Sequence, residues 1–244
     1  MILLQNDIAY YAYNGLYMFE ETGKIDVMRG IATLYPETIQ FVVRADSPIE
    51  SLHDLAGKRV AVGAAGSGTA VACEQILRAA GVWDEIEKVW APFREAATAL
   101  KLGEVDCAML VAGIPTPAIT ELATTTPVRI LSVPDEILTK LHDEGYVFYV
   151  RQIAPKDTYA GMTKDTPTVA VLAMLACHAD LPEQTVYTLT KVLFDHVDDL
   201  RAVHAKAQAI SLETAIDGMS IPLHPGAIKY YEEKGVKVPE TLKP

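Results

Sequence analysis

The chain has 244 residues, half of them apolar, and a formal net charge of −11. That length and apolar content suit an ordered globular protein, either one large domain or two lobes of about 100–150 residues each. The acidic balance, without clustered Lys and Arg, argues against a nucleic-acid surface, and the longest strongly apolar run, residues 169–177, falls short of the roughly 20 needed to span a bilayer.

In chain order, "LLQND" reads as a strand-like fragment running into a helix, "IAYYAYNG", that stops at Gly15. "TLYPETIQFVVR" is extended and β-rich. Between residues 58 and 133 strand and helix alternate: "KRVAV" as strand, residues 69–80 as a helix closed by Gly81, "EKVWA" as strand, and "FREAATALKLG" as a helix closed by Gly103. "VDCAMLVAG" follows as a buried strand, residues 117–123 as a short helix and "VRILSV" as another strand. Such alternation implies a mainly parallel sheet covered on both faces. "YVFYVRQI" is extended again, and with "TLYPETIQFVVR" it suits a pair of crossings between lobes. "TVAVLAMLACHA" fits a strand or a buried helix. A long helix is expected from Leu181, with Asp180 as N-cap and Val186, Leu189, Leu193, Val197 and Leu200 on its apolar face. A further helical stretch is expected near Ser211 and a last one over residues 226–234. The expected fold class is α/β in two lobes: residues 1–46 with 154–244, and residues 47–153.

The stretch "GAAGSGT", residues 63–69, lies between a strand and a helix, at the sheet edge where α/β folds bind ligands. Gly66 and Gly68 free the backbone, Ser67 and Thr69 add hydroxyl donors, and the first amides of a helix favour an anion. A Walker loop needs a Lys where Gly68 stands, and a dinucleotide fingerprint needs a small residue where Val71 stands, so both are rejected. The alternative is that these residues only cap a helix. A second turn, "AGIPTPAITEL", offers Gly113 and Thr116, the latter as helix cap or ligand donor. In the other lobe Gln5, Asn6 and Tyr35 are candidates, with Asn6 or Asp7 also suited to capping and tyrosines to packing.

Together "QNDIAYYAYNG", "LHDLAGKRVAVGAAGSGTAVACEQILRAAGV", "GEVDCAMLVAGIPTPAITELA" and "ISLETAIDGMSIPLHPGAIKYYEEKG" resemble the TAXI family of solute receptors for TRAP transporters. The resemblance implies a monomeric, two-lobed periplasmic binding protein of the type II kind, without cofactor or metal. Such a protein closes over a small organic acid, a dicarboxylate or an acidic amino acid such as glutamate, and delivers it to a membrane permease. It implies ligand-facing roles for Gly66, Ser67, Gly68 and Thr69, for Gly113 and Thr116 beside them, and for Gln5, Asn6 and Tyr35 from the other lobe. "MILLQND" lacks the features of a secretory signal. Family members carry a signal peptide and then a strand, a glycine-rich turn and a helix ahead of the point matched by Met1, so roughly the first quarter of the mature fold is expected to be absent here.

The competing reading is an enzyme on the same two-lobed architecture, related to pyrimidine (thiamine precursor) synthesis proteins, in which His224 or Cys177 would do chemistry. Against it, Cys73, Cys107 and Cys177 sit in apolar sequence as buried thiols would. His196 and His204 are eight apart on one expected helix, roughly 12 Å along its axis. Asp195, Asp198 and Asp199 read as a solvated face, and His224 as a residue held by backbone.

Overall fold

The computed structural model describes the backbone of residues 1–244 and the side chains of all but Ala205. The first half comprises β1 (Ile2–Gln5), α1 (Asn6–Asn14), β2 (Met28–Arg44), β3 (Arg59–Gly63), α2 (Gly68–Ala79), β4 (Glu87–Trp90), α3 (Phe93–Leu102) and β5 (Cys107–Ala112). It continues with α4 (Pro117–Ala123), β6 (Val128–Leu131), α5 (Asp135–Asp143), β7 (Val150–Ala154), β8 (Thr166–His178), α6 (Glu183–Asp195), α7 (Val197–Val203) and α8 (Pro225–Glu233). No helix among the described residues is long and apolar enough to cross a membrane.

The chain divides into two compact units, Met1–Pro36 with Val171–Pro244 (unit 1) and Glu37–Ala170 (unit 2). The divisions expected from the sequence stand at 46/47 and 153/154, whereas these units divide at 36/37 and 170/171. The cause is strand length. β2 and β8 each run through a division, and residues 38–44 of β2 already pair within unit 2. "YVFYVRQI" lies within unit 2 and is not a crossing: its last four residues belong to β7, which pairs antiparallel with the first half of β8, Val150 opposite Ala170 and Ala154 opposite Thr166.

In unit 2 the strand order is β4, β3, β5, β2, β6. β3 is parallel to β4 and to β5, as the alternating pattern requires. β2 runs antiparallel to β5 (Thr38 opposite Ala112) and to β6 (Phe41 opposite Leu131), so the sheet is less parallel than expected. β2 does not arrive through a strand–helix–strand crossover, so the rule that keeps such strands parallel does not bind it. Ala61, Ala108 and Leu110 pack with Ala96, Leu100, Ile119 and Leu122 of α3 and α4. Both helices are locally specified: Pro92 precedes α3, and Gly103, at φ 72°, takes the left-handed position that ends it.

At the other end of β3 and β5, Arg59 and Asp106 clamp the strands. The Arg59 amide donates to Asp106 Oδ2 (2.9 Å), its guanidinium to both carboxylate oxygens, and the Asp106 amide back to the Arg59 carbonyl (2.8 Å).

In unit 1, β1 pairs antiparallel with the second half of β8, from Ile2 opposite Ala176 to Gln5 opposite Ala173. "TVAVLAMLACHA" is thus strand, its nearly unbroken burial replacing alternation. Ala9, Ile31, Met174, Val186, Phe194, Tyr230 and Tyr231 form the core. Three helical expectations change here. Pro182, not Asp180, precedes α6. The long helix breaks at His196 (φ −114°, ψ 20°), because Asp198 and Asp199 suit the positive end of a new helix, α7, better than a helix interior. The segment after Ser211 is a run of turns, with the Thr214 and Ala215 carbonyls accepting from the Thr33 hydroxyl and amide.

Two outcomes follow from these contacts. α8 lies against α6 so closely that a Cβ on Gly226 would come 2.2 Å from the Glu183 carbonyl oxygen and 2.7 Å from the Tyr187 nitrogen. Gly226→Ala should cost about 1–3 kcal/mol or more, as overpacking against backbone does, measured by denaturant titration. The Arg59 side-chain hydrogen bond, opposed by burial, holds the Asp106 carboxyl below the usual carboxylate range. Its stabilisation is present above the unfolded pKa of about 3.9 and is lost as pH falls through the lower folded value. The stability gap between the protein and Asp106→Asn should therefore narrow as the pH is lowered toward 3, and a gap independent of pH would refute the clamp.

Candidate functional site

β3, β4 and β5 are parallel, so the turns after β3 and β5 emerge at one edge of the unit 2 sheet, the carboxyl edge. The first turn, residues 63–69, is shaped by two glycines. Gly63 has φ 105°, and a Cβ there would lie 2.9 Å from Thr69 Cγ2 and 3.0 Å from the Ala70 nitrogen. Only a residue without a side chain lets the first turn of α2 sit on the strand end. Gly66 has φ 73° and open space around it, so its need is conformational alone.

Ser67 is the N-cap of α2 (φ −88°, ψ 155°). Its hydroxyl accepts from the Ala70 amide at 3.2 Å and donates to the Ala64 carbonyl at 2.7 Å. The Ser67 proton is therefore committed to the protein, and the capping role foreseen as an alternative is the one this side chain performs. Thr69 differs. It is 8 % exposed, and its hydroxyl makes no hydrogen bond among the described residues. The amides of Gly68 and Thr69, first in the helix, have no acceptor within it and none elsewhere among the described residues. Two amides and a hydroxyl stand at the positive end of a 12-residue helix, where an anion gains about 0.3–1 kcal/mol from the dipole before hydrogen bonds are counted.

The second turn is spoken for. Thr116 precedes α4 but its side chain caps nothing. It is 5 % exposed; its hydroxyl accepts from Gln40 Nε2 (2.9 Å) and donates to the Gly113 carbonyl (3.3 Å). Its amide donates to the Tyr159 hydroxyl (2.7 Å), which donates to Gln40 Oε1 (2.7 Å). The capping role weighed for Thr116 is not the one seen, because Gln40 and Tyr159, which sequence reasoning missed, close a buried network around it. A polar residue in the β-rich run "ETIQFVV" was the one available signal for Gln40.

Gln5, Asn6 and Tyr35 belong to unit 1. Gln5 ends β1 and stands half-buried at the N-cap of α1 without capping it. Asn6 is fully buried, donating through Nδ2 to the Gly218 carbonyl (2.8 Å) and accepting at Oδ1 from the Leu172 amide (2.9 Å), so its amide group serves as a latch. Tyr35 is half-buried on β2.

The residues that would carry chemistry are otherwise engaged. His224 is 1 % exposed; Nδ1 accepts from the Gly226 amide (3.1 Å), and Nε2 faces the Leu181 and Ala179 carbonyls at 3.0 and 3.2 Å. That pattern fixes the tautomer with its proton on Nε2 and makes His224 the cap of α8. Cys73, Cys107 and Cys177 are buried, and burial raises the pKa of each, the reverse of what a thiolate nucleophile needs. Asp195, His196, Asp198 and Asp199 form exposed pairs along α6 and α7, with Lys191, Asp199, Arg201 and His196 respectively. No group of three metal-ligating side chains occurs among the described residues.

The chain is similar to the periplasmic aliphatic sulphonate binding protein SsuA from Escherichia coli, with 15 % identity, covering 95 % of this chain and 64 % of that one at a TM-score of 0.42. It is similar to a TctC solute binding protein from Polaromonas (16 %, 87 % and 67 %, TM-score 0.49). XAC2383 from Xanthomonas citri bound to ATP is a third (12 %, 95 % and 74 %, TM-score 0.47). The chain thus spans less than two thirds of the E. coli protein's length. A family model matches residues 1–235, almost the whole length, and by that match the chain belongs to the NMT1-like family.

Proposed function

We propose that the protein is an extracytoplasmic solute-binding protein that captures a small organic acid, a dicarboxylate or an acidic amino acid such as glutamate, and passes it to a TRAP-type membrane permease. The observation that carries this reading is the mouth of α2, where the Gly68 and Thr69 amides and the Thr69 hydroxyl have no hydrogen-bond partner among the described residues while Ser67 caps the helix beneath them. A carboxylate matches that donor set in charge and in number of acceptors. The permease type and the choice of acid rest on the TAXI resemblance of the sequence. The engagement of His224 with backbone groups and the raised Cys177 pKa favour this reading over an enzyme that uses those two residues.

Glutamate, 2-oxoglutarate and succinate should raise the melting temperature in a scan, since a ligand at 100 times its Kd adds about 2.7 kcal/mol to the folded state. Thr69→Val, which keeps shape and removes the donor, should weaken binding of the active acid by about 1.5–3 kcal/mol. Ser67→Ala should instead cost about 1 kcal/mol of stability through the lost cap, with affinity changed less than by Thr69→Val. Calorimetric titration of both variants checks this order, and equal affinity in wild type and Thr69→Val would remove the α2 mouth from the site.

A further inference from the structure

We propose a second small-molecule site in unit 2, a cavity of about 250 Å³ beside β6 that takes a zwitterionic α-amino acid with an aliphatic side chain. It does not depend on the function proposed above. β6 is separated from β3 by β5 and β2, three strand spacings or about 14 Å, so this cavity is distinct from the α2 mouth.

Its walls are fixed. The loop of residues 155–165 is closed by hydrogen bonds from the Asp157 amide to the Met162 carbonyl (3.1 Å) and from the Lys156 amide to Asp165 Oδ1 (2.8 Å). Gly161, at φ 106°, presses the loop onto β6, where a Cβ would lie 2.6 Å from the Val128 carbonyl oxygen.

The lining carries two cations and two carboxylates: Arg129, Lys164, Glu50 and Asp165. The Arg129 side chain is 20 % exposed, and its Nη2 is held by the Ser47 carbonyl (2.8 Å) and Glu50 Oε1 (2.9 Å). Its Nε and Nη1, together with Lys164 Nζ, have no acceptor among the described residues. Those donors recognise a carboxylate. A simple anion, however, meets Glu50 and Asp165 in the same cavity and a chain of net charge −11 outside it. A ligand carrying an ammonium beside its carboxylate satisfies both signs and approaches without net repulsion. Ile130, Met162 and Pro167 supply an apolar wall for a hydrocarbon side chain, and the volume, below the roughly 300–1,000 Å³ of drug-sized pockets, limits the ligand to about amino-acid size.

The test is a methyl-observed NMR titration of the full chain with L-valine and L-leucine, and with isobutyrate and isobutylamine, which each carry one of the two charges. Both amino acids should shift the Met162 and Ile130 methyls saturably, and the single-charge compounds should bind at least roughly tenfold more weakly. Arg129→Gln should weaken binding by a similar factor, as should Lys164→Gln, whose exposed, unpaired side chain can be replaced without disturbing the fold. Absence of a saturable shift with either amino acid up to about 20 mM, isobutyrate binding as tightly as L-valine, or full retention of binding in Lys164→Gln would each overturn the proposal.

Discussion

The approach of α2 to the end of β3 depends on one missing side chain. At Gly63 the strand finishes with a positive φ, and the first turn of the helix occupies the space that a Cβ would need. The Gly63 carbonyl also accepts from the Ala91 amide, tying in the end of β4. With strand ends and helix start locked together, the unpaired amides of α2 are held at the carboxyl edge of the sheet rather than turned into a loop. An ordinary residue at position 63 would have to push the helix outward or adopt a strained backbone, and in either case the donors would lose their fixed direction.

Capping and binding compete for the same groups at any helix start. Four amides lack intrahelical acceptors, and side chains that satisfy them leave fewer for a ligand. The turn here divides the work by residue: Ser67 settles the Ala70 amide and spends its own proton on Ala64, leaving Gly68 and Thr69 open. Ser67 thus orders the helix from which these donors project. A sequence pattern of Gly, Ser, Gly and Thr does not distinguish a hydroxyl that caps from one that binds, because both need the same chemical group within one turn.

The elements of unit 2 from β3 to β6 were legible because each is defined by local signals, whereas α5 was not foreseen. Gly103 ends α3, Pro117 opens α4, and the apolar run of β5 is bounded on both sides. What the sequence concealed was non-local. The direction of β2 in the sheet and the extension of β2 and β8 through both units depend on which strand pairs with which, not on propensity. The helix expected through residues 181–200 has suitable apolar spacing throughout, yet His196 leaves the helical region and the acidic pair behind it starts α7. At the candidate site, glycine and hydroxyl positions could be read from spacing. The partners of Thr116 could not, since Gln40 and Tyr159 lie 76 and 43 residues away in the chain.

The Gln40, Thr116 and Tyr159 network has a consequence for selectivity. Its members are almost wholly buried, where an unsatisfied polar group costs about 1–3 kcal/mol, so the mutual bonds are not readily exchanged for bonds to a visiting solute. Burial also pushes the Tyr159 hydroxyl pKa up, keeping it neutral and able to donate. The second turn is thereby made rigid and its polar groups satisfied, whereas the amides and the one hydroxyl of the α2 mouth keep their hydrogen-bonding capacity among the described residues. Neutral donors of that kind can bind an oxyanion in a strongly acidic protein without a formal positive charge, because their effect is short-range and directional. They do not by themselves distinguish one oxyanion from another. On the function proposed above, discrimination among acids comes from the shape available beyond the carboxylate.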